Sequence, residues 1–146
     1  MVDADSVTRL RGVIGKLARQ LNAVSTGEGV TPTQASVLGL VATRGELGLA
    51  ELAEIEGLNP TMLSRVIGKL DELGLIRRLP DPADQRAARV DVTAAGRRMH
   101  KRLRTLRTDV VSRCLDGLPE ETVETLLGAL PALEALAEEL KVRRSR

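Results

Sequence analysis

The sequence contains no phenylalanine, tyrosine or tryptophan among its 146 residues. Modules that bind single-stranded nucleic acid usually stack bases on aromatic rings, and cages for cationic ligands need the same ring faces. The absence of these rings excludes both kinds of site. Leucine, alanine and valine must fill the core instead, and the length of the chain suits one domain with one core.

Cysteine is nearly absent as well. The one cysteine, Cys114, cannot form an internal disulfide, so the fold is expected to stand in a reducing compartment without covalent cross-links. Cys114 falls on the apolar face of a predicted helix, where we expect a buried, inert thiol. The chain also lacks a basic N-terminal segment followed by an apolar run, and its uncharged stretches are short. We therefore predict a cytoplasmic protein with neither a signal peptide nor a membrane span.

Residues for catalysis are scarce too. The chain has one histidine, His100, and shows neither a cluster of metal-ligand residues nor a glycine-rich phosphate loop. We predict that the protein is not an enzyme and that it uses no cofactor and no metal. His100 is expected to be exposed to solvent or to lie at an interface.

The formal net charge of +2 conceals an uneven distribution. Residues 77–113 hold eleven basic and four acidic side chains, whereas residues 114–140 hold seven acidic side chains and none that is basic. This asymmetry indicates an anionic partner for one face of the protein. The simpler alternative is that the arginine-rich helices are only solvated.

Three helical stretches carry narrow apolar seams, meaning apolar residues that recur every three or four positions. The first seam comprises Val7, Leu10, Ile14, Leu17, Leu21 and Val24. The second follows a cap at Thr93 and comprises Met99, Leu103, Leu106, Val110 and Cys114. The third follows Pro119 and comprises Val123, Leu126, Leu127, Leu130, Leu133, Leu136 and Leu140. A narrow seam favours packing along another helix slightly over burial in a broad core, and Pro131 should kink the last helix.

The middle of the chain predicts a helix-turn-helix. A first helix is capped by Thr31 and stops near Gly45, and a short helix over residues 49–56 ends at Gly57, which can adopt the left-handed conformation of a tight turn. Asn59 then caps a helix that begins at Pro60 and stops at Gly74. Two helices joined by a glycine-containing turn of about three residues are typical of this motif.

The polar face of the last of these helices is the candidate recognition face. Its members share one side at helical spacing: Thr61, Ser64, Arg65, Gly68 and Lys69. Such a face, beginning at the positive end of the helix dipole, could meet phosphates and enter a major groove. The alternative is that Thr61 and Ser64 are merely solvated.

After Gly74 the pattern predicts two short antiparallel strands joined by a loop. Arg77, Arg78 and Arg89 lie on the strands and Asp84 and Arg86 in the loop. A narrow basic projection suits contact with the DNA backbone or the minor groove. Asp84 could orient Arg86 as an ion-pair partner or be an ordinary loop carboxylate.

These residues resemble the MarR (multiple antibiotic resistance regulator) family of winged-helix transcription factors. The motifs that carry the resemblance are Thr31-Pro32-Thr33-Gln34, Leu52-Ala53, Gly57-Leu58, the run Leu70 to Ile76, Asp81-Pro82-Ala83-Asp84-Gln85-Arg86 and the run Val90 to Gly96. The implied fold is mainly α with a small two-stranded β-wing. The resemblance places Asn59, Pro60, Thr61, Ser64 and Arg65 in the major groove and Arg86 in the minor groove. With Lys69, Arg78, Asp84 and Arg89 these form the candidate DNA-binding set.

The resemblance also implies a homodimer. A helical dimerisation region of residues 1–29 and 94–146 would surround a winged helix of residues 30–93 in one intertwined domain. The candidate dimer contacts are Val7, Leu10, Ile14, Leu17, Leu21, Val110, Val123, Leu126, Leu130, Leu133 and Leu136. A small aromatic or phenolic effector is a further implied partner. One position departs from the pattern, because Glu56 stands where such motifs usually have an apolar residue.

The sequence therefore predicts a regulator that binds double-stranded DNA as a homodimer, with repression at an inverted repeat. The alternative is a winged-helix module that docks a protein through the same helix face. An acidic or apolar face would favour that alternative, and this face is basic.

Overall fold

A computed structural model of the chain describes residues 1–83 and 88–145. In these ranges the helices are α1 (Ala4–Gly27), α2 (Pro32–Arg44), α3 (Leu49–Glu56), α4 (Pro60–Glu72), α5 (Ala94–Asp116), α6 (Glu120–Gly128) and α7 (Leu130–Arg144). The strands are β1 (Leu47–Gly48), β2 (Ile76–Pro80) and β3 (Ala88–Val92). The chain forms two compact units, Met1–Arg107 and Thr108–Arg146. The mainly α fold with a small antiparallel sheet is confirmed.

Local capping chemistry determines where the central helices begin. The Thr31 hydroxyl accepts a hydrogen bond from the Gln34 amide, and the Gln34 side-chain oxygen accepts one from the Thr31 amide, so α2 starts with a full capping box. The Asn59 side chain accepts from the Met62 amide at 2.9 Å and starts α4. Gly57 ends α3 with φ of 67°, a conformation that glycine adopts without a steric penalty. The three predicted helices of the helix-turn-helix segment are confirmed.

The core of the first unit lies between α2, α3, α4 and the sheet. Its fully buried side chains include Val37, Leu38, Val41, Leu52, Ile67, Leu70, Ile76, Val90 and Leu103. All of these are aliphatic, as the lack of aromatic residues requires. Leu103 brings α5 into the same core, so the long helix is anchored on the winged-helix part of the chain.

The sheet has three strands, so the expected two-stranded wing was incomplete. β2 and β3 pair antiparallel from Ile76–Val92 to Pro80–Ala88. The additional strand, β1, pairs with the other edge of β3 through Leu47–Val90 and Gly48–Arg89. A two-residue strand is too short to show an alternating pattern, and its partner is distant in sequence.

The start of α5 is locked to the end of α4. The Thr93 hydroxyl donates to the Gly74 carbonyl at 2.6 Å and accepts from the Gly96 amide at 3.0 Å. A Cβ at residue 96 would lie 2.0 Å from the Leu75 carbonyl oxygen, so only glycine allows this approach. The predicted cap at Thr93 is confirmed.

The second unit contains the end of α5 with α6 and α7. The expected single kinked helix is instead two helices interrupted at Ala129. Pro131 explains the interruption, because it has no amide hydrogen to donate to the Leu127 carbonyl one turn earlier. Cys114 is exposed in this chain, so the expectation of a buried thiol was wrong. No helix of residues 1–83 or 88–145 is long and apolar enough to cross a membrane.

Candidate nucleic-acid interface

The recognition face of α4 is exposed along its length. Leu63, Ile67 and Leu70 fasten the opposite side of the helix to the core. The predicted contact residues on the helix are all exposed: Asn59, Pro60, Thr61, Ser64, Arg65 and Lys69. The structure therefore brings these six side chains together on the solvent side of one helix, and their contact with DNA stays a prediction.

The charge on this face is positive at its centre. Arg65 carries a guanidinium whose five donors suit phosphate or guanine. Lys69 lies 3.8 Å from the Glu72 carboxylate one turn further on, and both side chains are exposed. Such a surface pair is weak, so a phosphate can replace the carboxylate. The amides at the start of α4 add the positive end of the helix dipole.

Met62 was missing from the predicted contact set. Its side chain is 50% exposed, which is unusual for a large apolar residue in the first turn of α4. It lies three and seven residues before Arg65 and Lys69 and so shares their side of the helix. An apolar side chain at this place suits contact with a thymine methyl group. The sequence did contain a signal for Met62, because this apolar residue shares the helical spacing of the polar recognition face.

Arg78 on β2 extends the positive face. Its guanidinium lies 3.9 Å from the position where a Cβ of Gly68 would stand, an ordinary van der Waals distance, so the arginine lies against α4. Arg78 is exposed and has no ion pair among the described residues. The predicted association of α4 with a basic strand therefore has a direct contact in the structure.

The other strand arginines are paired with acids at the base of the wing. Arg77 lies 3.3 Å from Asp91 across the strand pair. Arg89 donates to Glu46 at 2.9 Å and lies 4.0 Å from Asp81. Glu46 and Asp81 therefore partly neutralise the charge of Arg89. The role of Arg89 in DNA binding stays a prediction.

The two candidate residues of the wing loop, Asp84 and Arg86, lie outside the described residues. Their suggested ion pair and the minor-groove contact of Arg86 stay predictions. The described end of the loop is shaped by Asp81, whose side chain accepts from the Ala83 amide at 2.9 Å.

Glu56, the departure from the helix-turn-helix pattern, has a partner. Its carboxylate accepts a hydrogen bond from the Ser36 hydroxyl at 2.8 Å. A polar link between α3 and α2 therefore replaces the usual apolar contact. The amides of Gly57 and Leu58 close the following turn on α3.

The apolar residues proposed for dimer contact are poorly covered in the single chain. On α1 the exposed fractions are 51% for Val7, 45% for Leu10, 39% for Ile14 and 60% for Leu17. Leu126, Leu130 and Leu133 of α6 and α7 are exposed as well, whereas Leu21, Val110, Val123 and Leu136 are half-buried. Runs of exposed leucine and valine at helical spacing mark surfaces that bind another chain.

A polar cluster lies where α1, α2 and α5 meet. The Ser25 side chain is fully buried and accepts a hydrogen bond from the Arg107 guanidinium. The His100 ring packs against Gly39 of α2. Within the described residues, His100 Nε2 and Arg107 Nε are buried without a hydrogen-bond partner. Burial lowers the pKa of His100, and the charges of Arg104 and Arg107 lower this pKa further.

No group of histidine, cysteine, aspartate and glutamate in the described ranges could hold a metal ion. What these ranges do contain is a helix-turn-helix followed by a two-stranded wing, with a polar, basic recognition helix. This arrangement is typical of winged-helix DNA-binding domains.

Comparison with known proteins finds similarity to transcriptional regulators. The family model described as MarR family matches residues 30–88. A relative, the HTH-type transcriptional regulator Mb0904 of Mycobacterium bovis, is 29% identical over 141 residues, covering 95% of this chain and 99% of its own. The HTH-type transcriptional repressor MdtR of Bacillus subtilis is 25% identical over 118 residues, covering 81% and 76%.

The fold agrees. The apo form of wild-type MarR from E. coli superposes with a TM-score of 0.74 at 23% identity, over 91% of this chain and 97% of that chain. Residues 30–88 of the chain are thus similar to the MarR family model, and the chain as a whole is similar in fold to MarR.

Proposed function

We propose that the protein is a homodimeric repressor that binds an inverted repeat in double-stranded DNA. The observation that carries the proposal is the pairing of an exposed, basic recognition face on α4 with uncovered apolar seams on α1, α6 and α7. The first supplies contacts to DNA and the second supplies contacts to a second copy. The likeness to a relative named as a repressor supports the direction of regulation.

The dimer follows from the energetics of the α1 seam. Burial of apolar surface contributes about 25 cal/mol per Å², so a leucine-sized side chain gains roughly 2 kcal/mol on full burial. Val7, Leu10, Ile14 and Leu17 form a continuous stripe that the chain itself leaves exposed. An identical stripe on a second copy is the complementary surface that two-fold symmetry provides.

Two-fold symmetry sets the form of the operator. Two recognition helices related by a dyad enter successive major grooves, so the half-sites should lie about 10 base pairs apart. Lys69 and Arg78 supply phosphate contacts in each subunit. Their binding releases counterions, and affinity should therefore fall steeply as the salt concentration rises.

The test is binding of the full chain to DNA selected from random duplexes, followed by fluorescence anisotropy at two salt concentrations. We expect an enriched inverted repeat and a Kd that rises at least tenfold between about 50 and 200 mM salt. Selection without enrichment, or binding that does not depend on salt, would contradict the proposal. If no duplex is enriched and the chain instead binds another protein through α4, the alternative of a winged-helix module that docks a protein is favoured.

Release by a small aromatic or phenolic effector belongs to the same proposal. The buried Arg107 Nε, a donor without a hydrogen-bond partner among the described residues, supports an anionic group in the ligand. Salicylate is a suitable probe, and it should weaken DNA binding by the unmodified chain more than by Arg107→Met. Equal effects on both proteins would place the effector elsewhere.

A further inference from the structure

The end of α1 is held by two arginines of α5. Arg102 donates to both carboxylate oxygens of Glu28, at 2.7 and 3.4 Å. Arg107 donates to the buried hydroxyl of Ser25. We call these two contacts the α1 clamp. They join residues that lie 74 and 82 positions apart in the sequence.

The α1 clamp contacts a turn that is held by its own backbone hydrogen bonds. The Ser25 carbonyl accepts from the amides of Glu28 and Val30, at 3.1 and 3.2 Å. Val30 is buried in the core at the start of α2. Movement of Ser25 or Glu28 therefore carries the whole turn, and with it the C-terminal end of α1.

Two separate contacts restrain the orientation of α1 more than a single contact would. Arg102 precedes the buried Leu103 directly and Arg107 follows it by one turn, so the two arginines contact the end of α1 from different positions along α5. A single hydrogen bond would allow α1 to pivot about it, whereas two separated contacts resist rotation. The Arg102 contact is a bidentate ion pair, which raises the pKa of Arg102 and lowers that of Glu28.

The clamp lies on the route from the α1 seam to the recognition helix. The seam is on α1, and α1 is held to α5 by the clamp. The first turn of α5 is packed against the Leu75 carbonyl through Gly96, and only Leu73 and Gly74 separate Leu75 from the end of α4. Each joint in this route is a close contact rather than a flexible linker.

We propose that Arg102 and Arg107 are positioning residues for operator recognition: they fix the angle between α1 and the winged helix, and thereby the spacing of half-sites that the dimer accepts. This rests on the proposed function, because it requires a dimer formed through α1. The two arginines act through α1 and touch no DNA.

The test compares Glu28→Gln combined with Arg107→Met against the unmodified chain on three duplexes. These are a single half-site, the selected inverted repeat, and the same repeat with its half-sites moved by two base pairs. We expect affinity for the half-site to stay within twofold, affinity for the selected repeat to fall about tenfold, and the preference between the two spacings to shrink. Arg98→Gln, an exposed arginine of α5 outside the clamp, is the matched control and should change none of the three.

A second variant distinguishes the proposed positioning role from a general loss of folding. The exchange Glu28→Arg with Arg102→Glu reverses an exposed pair and should restore the spacing preference that Glu28→Gln alone weakens. Equal losses on the half-site and the repeat, or an unchanged spacing preference in a dimer, would overturn the clamp and leave the proposed function standing. Failure of the unmodified chain to bind any duplex would overturn the proposed function, and the clamp with it.

Discussion

We expect the side chains of the candidate interface to differ in their roles according to position. Residues in the first two turns, Thr61, Ser64 and Arg65, lie nearest the positive end of the helix and can reach base edges. Lys69 and Arg78 lie further back and offer charge to phosphates. Base contacts give specificity and phosphate contacts give affinity, so substitutions in the two groups should differ in kind.

Arg65→Ala should weaken binding to the selected operator about 10- to 100-fold and relax the preference at one base pair of each half-site, because a guanidinium that reads a base is worth roughly 1–3 kcal/mol. Anisotropy with the operator and its single-base variants measures both effects. Arg98→Ala removes the same charge from α5 and is the control. A uniform loss on all sequences would identify Arg65 as a phosphate contact instead.

His100 should make folding stability depend on pH. Its pKa lies below the ordinary value of 6.5 in the folded protein, so between these two values the unfolded chain binds a proton that the folded chain does not. The free energy of unfolding therefore falls as pH falls from about 6.5 through the lowered pKa. Urea denaturation at pH 7.5 and 5.5 should show this loss in the unmodified chain and a smaller loss in His100→Gln. The same loss in both proteins would assign it to other groups.

At the scale of the elements, glycine permits a close approach between α5 and the backbone before β2. Gly96 allows α5 to meet the backbone after α4, and the Thr93 hydroxyl bridges the same junction. Because Leu75 also accepts from the Thr93 amide at 3.1 Å, the carbonyl cannot simply turn away. The wing, α4 and α5 are thereby held as one piece.

Gly96→Ala should lower the free energy of unfolding by about 3 kcal/mol, since the new methyl group would overlap the Leu75 carbonyl. Gly12→Ala is the control. A Cβ at residue 12 meets nothing within 4 Å, so this change should be neutral or stabilise α1 by up to about 1 kcal/mol. Urea midpoints measure both, and equal effects would mean that α5 adjusts at little cost.

The helices were predictable because their signals are local. Thr31, Asn59 and Thr93 each bond to an amide three residues on, and such caps can be read from a short window. The strand at Leu47 and Gly48 could not be read this way, since it exists only by pairing with β3. The same holds for the bond between Ser25 and Arg107. Exposure of Cys114 was missed because helical spacing alone does not say whether a seam is covered by its own chain.

At the scale of the whole molecule, the net charge is small because a basic region and an acidic region of the chain cancel each other. The basic residues cluster around β2, β3 and the first part of α5, and the acidic residues of positions 114–140 lie in the other compact unit. Separation of charge in this way keeps the recognition face attractive to phosphates without a large total charge. In the proposed homodimer the apolar seams would drive association without any contribution from charge.

Leu17→Glu should convert the dimer into a monomer, because it places a carboxylate in the α1 seam at a side chain that is 60% exposed in the single chain. Sedimentation velocity measures the change, and circular dichroism should show the helix content preserved. Lys16→Gln makes the same change in charge one residue away and should remain dimeric. A dimeric Leu17→Glu would show that α1 is not at the interface.

The α1 clamp also bears on the order of folding. Its bonds close the loops of 74 and 82 residues that join α1 to α5, whereas α2, α3 and α4 meet through much shorter ones. Closing longer loops costs more chain entropy, and Ser25 is the one buried residue that α1 contributes. Docking of α1 should therefore come after the winged helix has formed. In native-state hydrogen exchange, α1 amides should be the first of the helical amides in Met1–Arg107 to open.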